Sequence, residues 1–269
     1  MTAQSLSQMK ELLGRHGLSP RKSLGQHFLA DPNLTRKVVA VAGVTPGDNV
    51  LEVGAGTGTL TRALSEAGAH VLAFEIDSRL GPVLEETLAG LDVDLRLMDA
   101  RHLDYASLLT GDRWKMVSNL PYDIGTGLLL DLIRTADSID SFTVMVQTEV
   151  ARRLAARPGT ADYGLPSVII GLHGAARRLF SVPPQVFYPP PRIESAVVGI
   201  RRQPHTGPIE RAIDLAAAGF GQRRKMLRTS LRSSLADPLA VCSAAGIDST
   251  RRAESLSPAE FLRLAEAAQ

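Results

Sequence analysis

Between Leu34 and Arg202 the chain alternates short β-branched runs with helix-length amphipathic segments. That alternation permits few folds, because strands joined by crossover helices pair in parallel and need a helix layer on each face. Residues 50–53, 71–75, 95–98, 116–118, 142–147 and 196–201 read as strands. Residues 60–66, 79–88, 128–134 and 149–156 read as helices. The segment 203–208 carries two prolines and a glycine, which interrupt both periodicities and mark a linker. Beyond it the pattern is helical throughout. There Ser257-Pro258-Ala259-Glu260 supplies a capping serine, a proline at the first helical position and a glutamate three residues after the cap. The expected architecture is α/β. A Rossmann-like domain over residues 1–203 has a mostly parallel sheet with helices on both faces, and a small all-helical domain follows over 204–269.

Composition excludes several classes. A single cysteine, Cys242, rules out an internal disulfide framework and a cysteine-based zinc site. The first 17 residues mix Lys10, Glu11 and Arg15 among apolar positions, which is not a secretory leader, and no apolar run approaches a membrane span. A cytoplasmic protein is expected. Net charge is only +2, yet eight basic and two acidic residues lie between Arg201 and Arg232, a local excess of +6. Such a stretch suits a polyanion or a solvated helix face equally well.

The strand 50–53 runs directly into Gly54-Ala55-Gly56-Thr57-Gly58 and then a helix. Glycines at this turn let backbone approach a ligand and let the helix pack closely on the strand. A dinucleotide fingerprint places its third glycine where Thr59 stands; here it is Gly58. The tighter spacing resembles the cofactor loop of S-adenosylmethionine-dependent methyltransferases. Glu75 ends the second strand, 21 residues after Gly54, where a carboxylate can accept hydrogen bonds from both ribose hydroxyls of an adenosine. Asp77 reads as a helix-start residue. After the third strand, Asp99 can accept from an adenine amino group and the Ala100 amide can donate to a ring nitrogen. Together Gly54, Glu75 and Asp99 occupy successive strand ends, along the carboxyl edge where open sheets bind ligands.

Asn119-Leu120-Pro121-Tyr122 follows the fourth strand. An adenine amino nitrogen is a poor nucleophile, since its lone pair is delocalised into the ring. Acceptors that hold both amino protons draw it toward a tetrahedral shape. The Asn119 side-chain oxygen and the Leu120 carbonyl can provide them, Pro121 stiffens the backbone that presents them, and Tyr122 offers a face for an extruded base. An in-line transfer of a sulfonium methyl then depends on alignment and needs neither a metal nor a covalent enzyme intermediate. Carbon-5 pyrimidine methylation, which needs a cysteine nucleophile, is disfavoured, and Cys242 reads as a core residue.

From about Arg21 to Leu264 the chain resembles the ribosomal RNA adenine N6,N6-dimethyltransferases, most closely the members acting on the small subunit. The resemblance rests on the segments above, on 25–29, on 147–154, on the Pro-rich loop 182–195 and on 220–227. It implies a class I S-adenosylmethionine-dependent methyltransferase fold plus a helical C-terminal domain. It implies that Gln26, His27, Leu29, Gly54, Gly56, Glu75, Ile76, Asp99, Ala100 and Asn119 hold S-adenosylmethionine. Phe187 would sandwich the target adenine against Tyr122, and Arg223, Arg224, Lys225 and Arg228, on a basic helix, would meet RNA phosphates. The expected partner is 16S ribosomal RNA in the small subunit or its precursor, met by a monomer without metal or membrane. Asp123, Thr126-Gly127 and Pro166 depart from the usual residues of the family.

Three other readings remain. One is a related enzyme that methylates large-subunit RNA and confers macrolide resistance. Another is a non-catalytic RNA-binding assembly factor on the same fold. The third, a nicotinamide dehydrogenase, is disfavoured by Thr59.

Overall fold

A computed structural model describes residues 4–111, 113–204 and 206–268. His205 of the expected linker, and the outermost residues Met1 and Gln269 of the two expected domains, lie outside the described residues. In chain order the first half holds α1 (Leu6–Arg15), β1 (Phe28–Leu29), α2 (Pro32–Ala42), β2 (Asn49–Val53), α3 (Thr59–Glu66), β3 (His70–Glu75), α4 (Gly81–Leu88) and β4 (Val93–Leu97). Next come α5 (Tyr105–Leu108), β5 (Trp114–Asn119), α6 (Gly125–Thr135), β6 (Ile139–Gln147), α7 (Thr148–Leu154) and α8 (Leu165–His173). The remainder is β7 (Gly174–Val182), β8 (Phe187–Tyr188), β9 (Ser195–Arg202), α9 (Ile209–Gly221), α10 (Leu227–Ser230), α11 (Pro238–Ala244) and α12 (Pro258–Ala267).

Seven strands form one sheet in the order β4-β3-β2-β5-β6-β9-β7. The four pairings from β4 to β6 are parallel, and β9 runs antiparallel to β6. All six strands expected from the sequence are present. Strand β7 was not foreseen, because Arg177 and Arg178 interrupt its apolar pattern; charges of this kind are tolerated on a sheet edge, which is where β7 lies. The central strands are apolar and buried, with Val50, Leu51, Met116, Val117 and Val144 all fully covered. After β2 the chain adds β3 and β4 on one side, then returns to place β5 and β6 on the other. This reversal leaves a crevice beyond the carboxyl ends of β2 and β5, where no crossover helix covers the sheet edge.

The chain divides into two compact units, Met1–Ala151 with Arg178–Arg201, and Arg152–Arg177 with Arg202–Gln269. The second therefore takes in a segment that sequence patterning assigned to the first domain. The reason is α8, whose Val168, Ile169, Ile170 and Leu172 are buried and which packs against α9 and α12. Pro166, one of the departures from the family pattern, occupies the first turn of α8, where its missing N–H costs no helical bond.

The capping motif foreseen at Ser257 is formed. The Ser257 hydroxyl accepts from the Glu260 amide, and the Glu260 carboxylate accepts from the Ser257 amide at 2.8 Å. Arg251 also donates to that carboxylate and, with burial opposing, holds its pKa down at about 2. A depressed carboxyl pKa contributes stability above the unfolded value of 4.5 and loses it as pH falls through 2. Glu260→Gln is therefore expected to cost about 1–2 kcal/mol at pH 7. The deficit should shrink toward pH 2, measured by urea unfolding at both pH values.

Candidate active site

The glycine loop connects β2 to α3 at the crevice. Gly54 and Ala55 both donate to the Phe74 carbonyl at the end of β3, at 2.8 and 3.0 Å, which ties the loop to the neighbouring strand. Gly56 has φ +58°, and a Cβ there would lie 2.9 Å from the Phe28 ring. Gly58 has φ +80° and caps α3; a Cβ there would meet Thr87, Leu84 and Leu88 at 3.0–3.2 Å. The first glycine lets the loop pass against the Phe28 ring, and the second lets α3 approach α4.

Beyond the loop lies an open cleft lined by Gly54, Glu75, Asp99 and Asn119 among others. Glu75 closes one end and is 5% exposed. Its two oxygens accept from the amides of Gly56 at 2.8 Å and Asp77 at 2.9 Å. Burial pushes this carboxyl above its ordinary range, and the two backbone bonds pull it back. A carboxylate has about four acceptor positions, so a pair remains for the two hydroxyls of a ribose. Ile76 and Met98 both line the cleft while remaining about two-fifths exposed, and together they offer flexible apolar surface to a flat ring. Met98 was not anticipated, although an exposed apolar residue directly before Asp99 was a usable signal.

Asp99 and Ala100 also line this end. Asp99 is clasped by Arg101 through Nε at 3.1 Å and Nη2 at 2.7 Å, which lowers its pKa and keeps it an acceptor. The Ala100 carbonyl accepts from the Tyr105 hydroxyl at 2.6 Å, which fixes the turn. Asp77 caps the short helix Ser78–Leu80, as its position suggested, and pairs with Arg79 and Arg21.

The opposite wall is Asn119-Leu120-Pro121-Tyr122, carried at the end of β5. The Leu120 amide donates to the Met145 carbonyl on β6. Asn119 Nδ2 donates to the His27 carbonyl at 3.1 Å, so the amide orientation is set and Oδ1 turns to the other side. The Tyr122 hydroxyl bonds the fully buried Ser195 hydroxyl at 2.6 Å, which anchors the far edge of the ring, and burial raises the Tyr122 pKa. Ser195 ends the Pro-rich loop 182–195, and nothing in its local sequence signals this contact.

Phe187 does not join this wall. It is 2% exposed, pairs with Leu29 between β8 and β1, and belongs to the hydrophobic core. The ring facing Tyr122 is His27, with centroids 5.3 Å apart. His27 Nδ1 meets the Pro189 carbonyl at 2.7 Å, and because a carbonyl can only accept, Nδ1 carries the hydrogen. In this structure the ring beside Tyr122 is that of His27, from the N-terminal segment. Gln26 reaches the same cleft, but its amide is spent on the Arg21 backbone and on Asp77, so it braces the segment. Leu29 is buried beneath the loop, in a smaller chamber that adjoins the cleft.

In the second unit, the basic stretch at 220–227 is not one helix. Helix α9 ends at Gly221, and Arg223, Arg224 and Lys225 lie on the turn before α10. There the buried Leu227 and the backbone bond from its amide to the Arg251 carbonyl redirect the chain. Arg224, Lys225 and Arg228 are exposed, whereas Arg223 is held by Glu254 at 2.9 Å and by the Ala161 carbonyl at 3.0 Å. Among the described residues no cluster of three or more His, Cys, Asp or Glu is placed to hold a metal ion, and no helix is long and apolar enough to cross a membrane.

Comparison with known proteins adds to this geometry. Residues 17–269 match the family model described as ribosomal RNA adenine dimethylase. The chain is 46% identical to a protein of Chelativorans sp. named ribosomal RNA small subunit methyltransferase A, over 98% of this chain and 99% of the relative. It is 44% identical to the protein of that name from Phenylobacterium zucineum, over 99% and 94%. Among solved structures, it resembles the 23S rRNA methyltransferase ErmE with a TM-score of 0.68 and 26% identity, over 90% of this chain and 99% of the other. A dimethyladenosine transferase from Plasmodium falciparum shares the fold, with a TM-score of 0.73 at 22% identity over 88% and 96%.

Proposed function

Because the chain belongs to the ribosomal RNA adenine dimethylase family, we infer that it dimethylates the N6 amino groups of two adjacent adenines near the 3′ end of 16S ribosomal RNA. It is an S-adenosylmethionine-dependent methyltransferase. The observation that carries this reading is Asn119, at the end of β5 beside the glycine loop, with its amide orientation fixed by the His27 carbonyl.

The cleft suits the cofactor. Gly56 lines the cleft with bare backbone packed against Phe28, Glu75 keeps acceptor positions for a ribose, and Ile76 and Met98 bound a space for the base. When bound, S-adenosylmethionine supplies an electrophilic methyl group on a sulfonium. The chain's own residues do the rest. Asn119 Oδ1 and the Leu120 carbonyl hold the amino protons of the target, which localises the nitrogen lone pair. Tyr122, anchored by Ser195, supports the base face, and His27 sets the separation between that face and the cofactor segment. Alignment of the nitrogen with the methyl carbon supplies most of the rate. In the second unit, exposed Arg224, Lys225 and Arg228 serve as phosphate contacts, with Arg223 bracing the turn that carries them. The enzyme acts as a cytoplasmic monomer on the small subunit or its precursor.

Incubating the protein with labelled cofactor and, in parallel, small-subunit precursor particles and large-subunit RNA tests this reading. Label should appear on two neighbouring adenines of the small-subunit RNA. Label confined to one large-subunit adenine would replace this reading with the large-subunit one.

A further inference from the structure

The segment 189–194 joins β8 to β9 and is tied to the site wall at both ends. At one end the Pro189 carbonyl accepts from His27 Nδ1 at 2.7 Å. At the other, Ser195, the first residue of β9, bonds the Tyr122 hydroxyl through its own at 2.6 Å. Just before it, the Glu194 carbonyl accepts from both the amide and the hydroxyl of Thr148, at 3.0 Å each. The run Pro189-Pro190-Pro191 fixes φ along the first half of the segment, and Pro191 is buried. The segment is thus bonded to the same two rings, His27 and Tyr122, that lie side by side in the cleft wall.

Past the prolines, Ile193 is 49% exposed, between the exposed charged residues Arg192 and Glu194. A single exposed apolar side chain is ordinary on a protein surface. What distinguishes Ile193 is its mounting. Two residues of chain span at most about 7 Å, so its backbone stands within that reach of the Ser195 that anchors Tyr122. The backbone carrying it has little freedom to yield, and its β-branched side chain has few rotamers.

We propose that Ile193 is the wedge that enters the RNA stack when the target adenine is drawn out, filling the place the base leaves. The proposal rests on the reading that Asn119 and Tyr122 receive an extruded adenine. A purine covered on both faces by its neighbours cannot lay one face on Tyr122, so it must leave the stack, at a cost in free energy. An apolar side chain laid on the face so uncovered restores part of the lost contact and hinders the base from returning. Isoleucine, leucine, methionine and phenylalanine serve this way in proteins that unstack nucleic acid. The role asks for a side chain without charge, with little internal freedom, on a support that does not give way. With two adjacent adenines to be modified, the face that Ile193 covers while one is drawn out is that of the other. Ile193 is a positioning residue, acting on where the base lies rather than on the reacting nitrogen.

Single-turnover transfer by the full chain to two small-subunit precursor particles tests this. The first carries both target adenines; the second carries an abasic nucleotide in place of one of them, which leaves no face to cover. On the first, Ile193→Ala should slow transfer about 10–30-fold, and Ile193→Leu, which keeps the apolar bulk, should stay within about threefold of wild type. On the second, Ile193→Ala and wild type should methylate the remaining adenine at rates within about threefold of each other. A loss of the same size on both particles, or a wild-type rate for Ile193→Ala on the first, would overturn the wedge and leave the methyltransferase reading standing. No transfer by the wild-type protein to either particle would overturn both. A folding defect in the variant lowers both rates together and cannot imitate the expected pattern.

Discussion

Asn119→Ala lowers methyl transfer in single-turnover assays by about 10²–10³-fold, the range seen when one group that stabilises a transition state is removed. The RNA concentration for half-maximal rate should stay within about threefold, because the side chain acts on the reacting nitrogen rather than on RNA phosphates. Affinity for S-adenosylhomocysteine should fall by less than about tenfold, the size of one hydrogen bond. Asn119→Asp does not rescue the rate. Nδ2 is what bonds the His27 carbonyl, and a carboxylate oxygen in its place meets that carbonyl oxygen instead. A transfer rate within threefold of wild type in Asn119→Ala, with the melting temperature unchanged, would remove Asn119 from the chemistry.

Glu75→Ala has the second large effect, on cofactor affinity. The substitution removes the acceptor for the Gly56 and Asp77 amides and, with it, the two positions left for a ribose. Charge-assisted hydrogen bonds contribute about 1.5–3 kcal/mol each, so a loss of about 10²–10⁴-fold in S-adenosylhomocysteine affinity is expected by calorimetry. The β-sheet signature in circular dichroism should persist, since the core strands are apolar and do not depend on this carboxylate. An affinity within threefold of wild type would mean that the ribose lies elsewhere.

How far the chain's order alone reached differs by element. The parallel strands were visible because each is a short apolar run followed by a helix, and burial on both faces leaves that mark in the residues themselves. The final helix was visible down to its capping box, because caps are local hydrogen bonds within four residues. Strand β7 was not, since it lies at the sheet edge and partial exposure erased the apolar pattern. The same held for α8, which read as a continuation of the first domain because nothing local says which unit an apolar helix will cover.

The site divides in the same way. Gly54, Gly56, Glu75, Asp99 and Asn119 could be placed from spacing alone, because a parallel sheet delivers the residues after successive strands to one edge. Spacing could not show that Phe187 is buried while His27 faces Tyr122, that Ser195 anchors the Tyr122 hydroxyl, or that Glu52 is buried beneath the loop. Those relations join residues 73 positions apart (Tyr122 and Ser195) and farther (His27 and Tyr122), or turn on what surrounds a side chain. Backbone order dictates which residues reach the carboxyl edge; only three-dimensional packing decides which rings meet and which carboxyl loses its water.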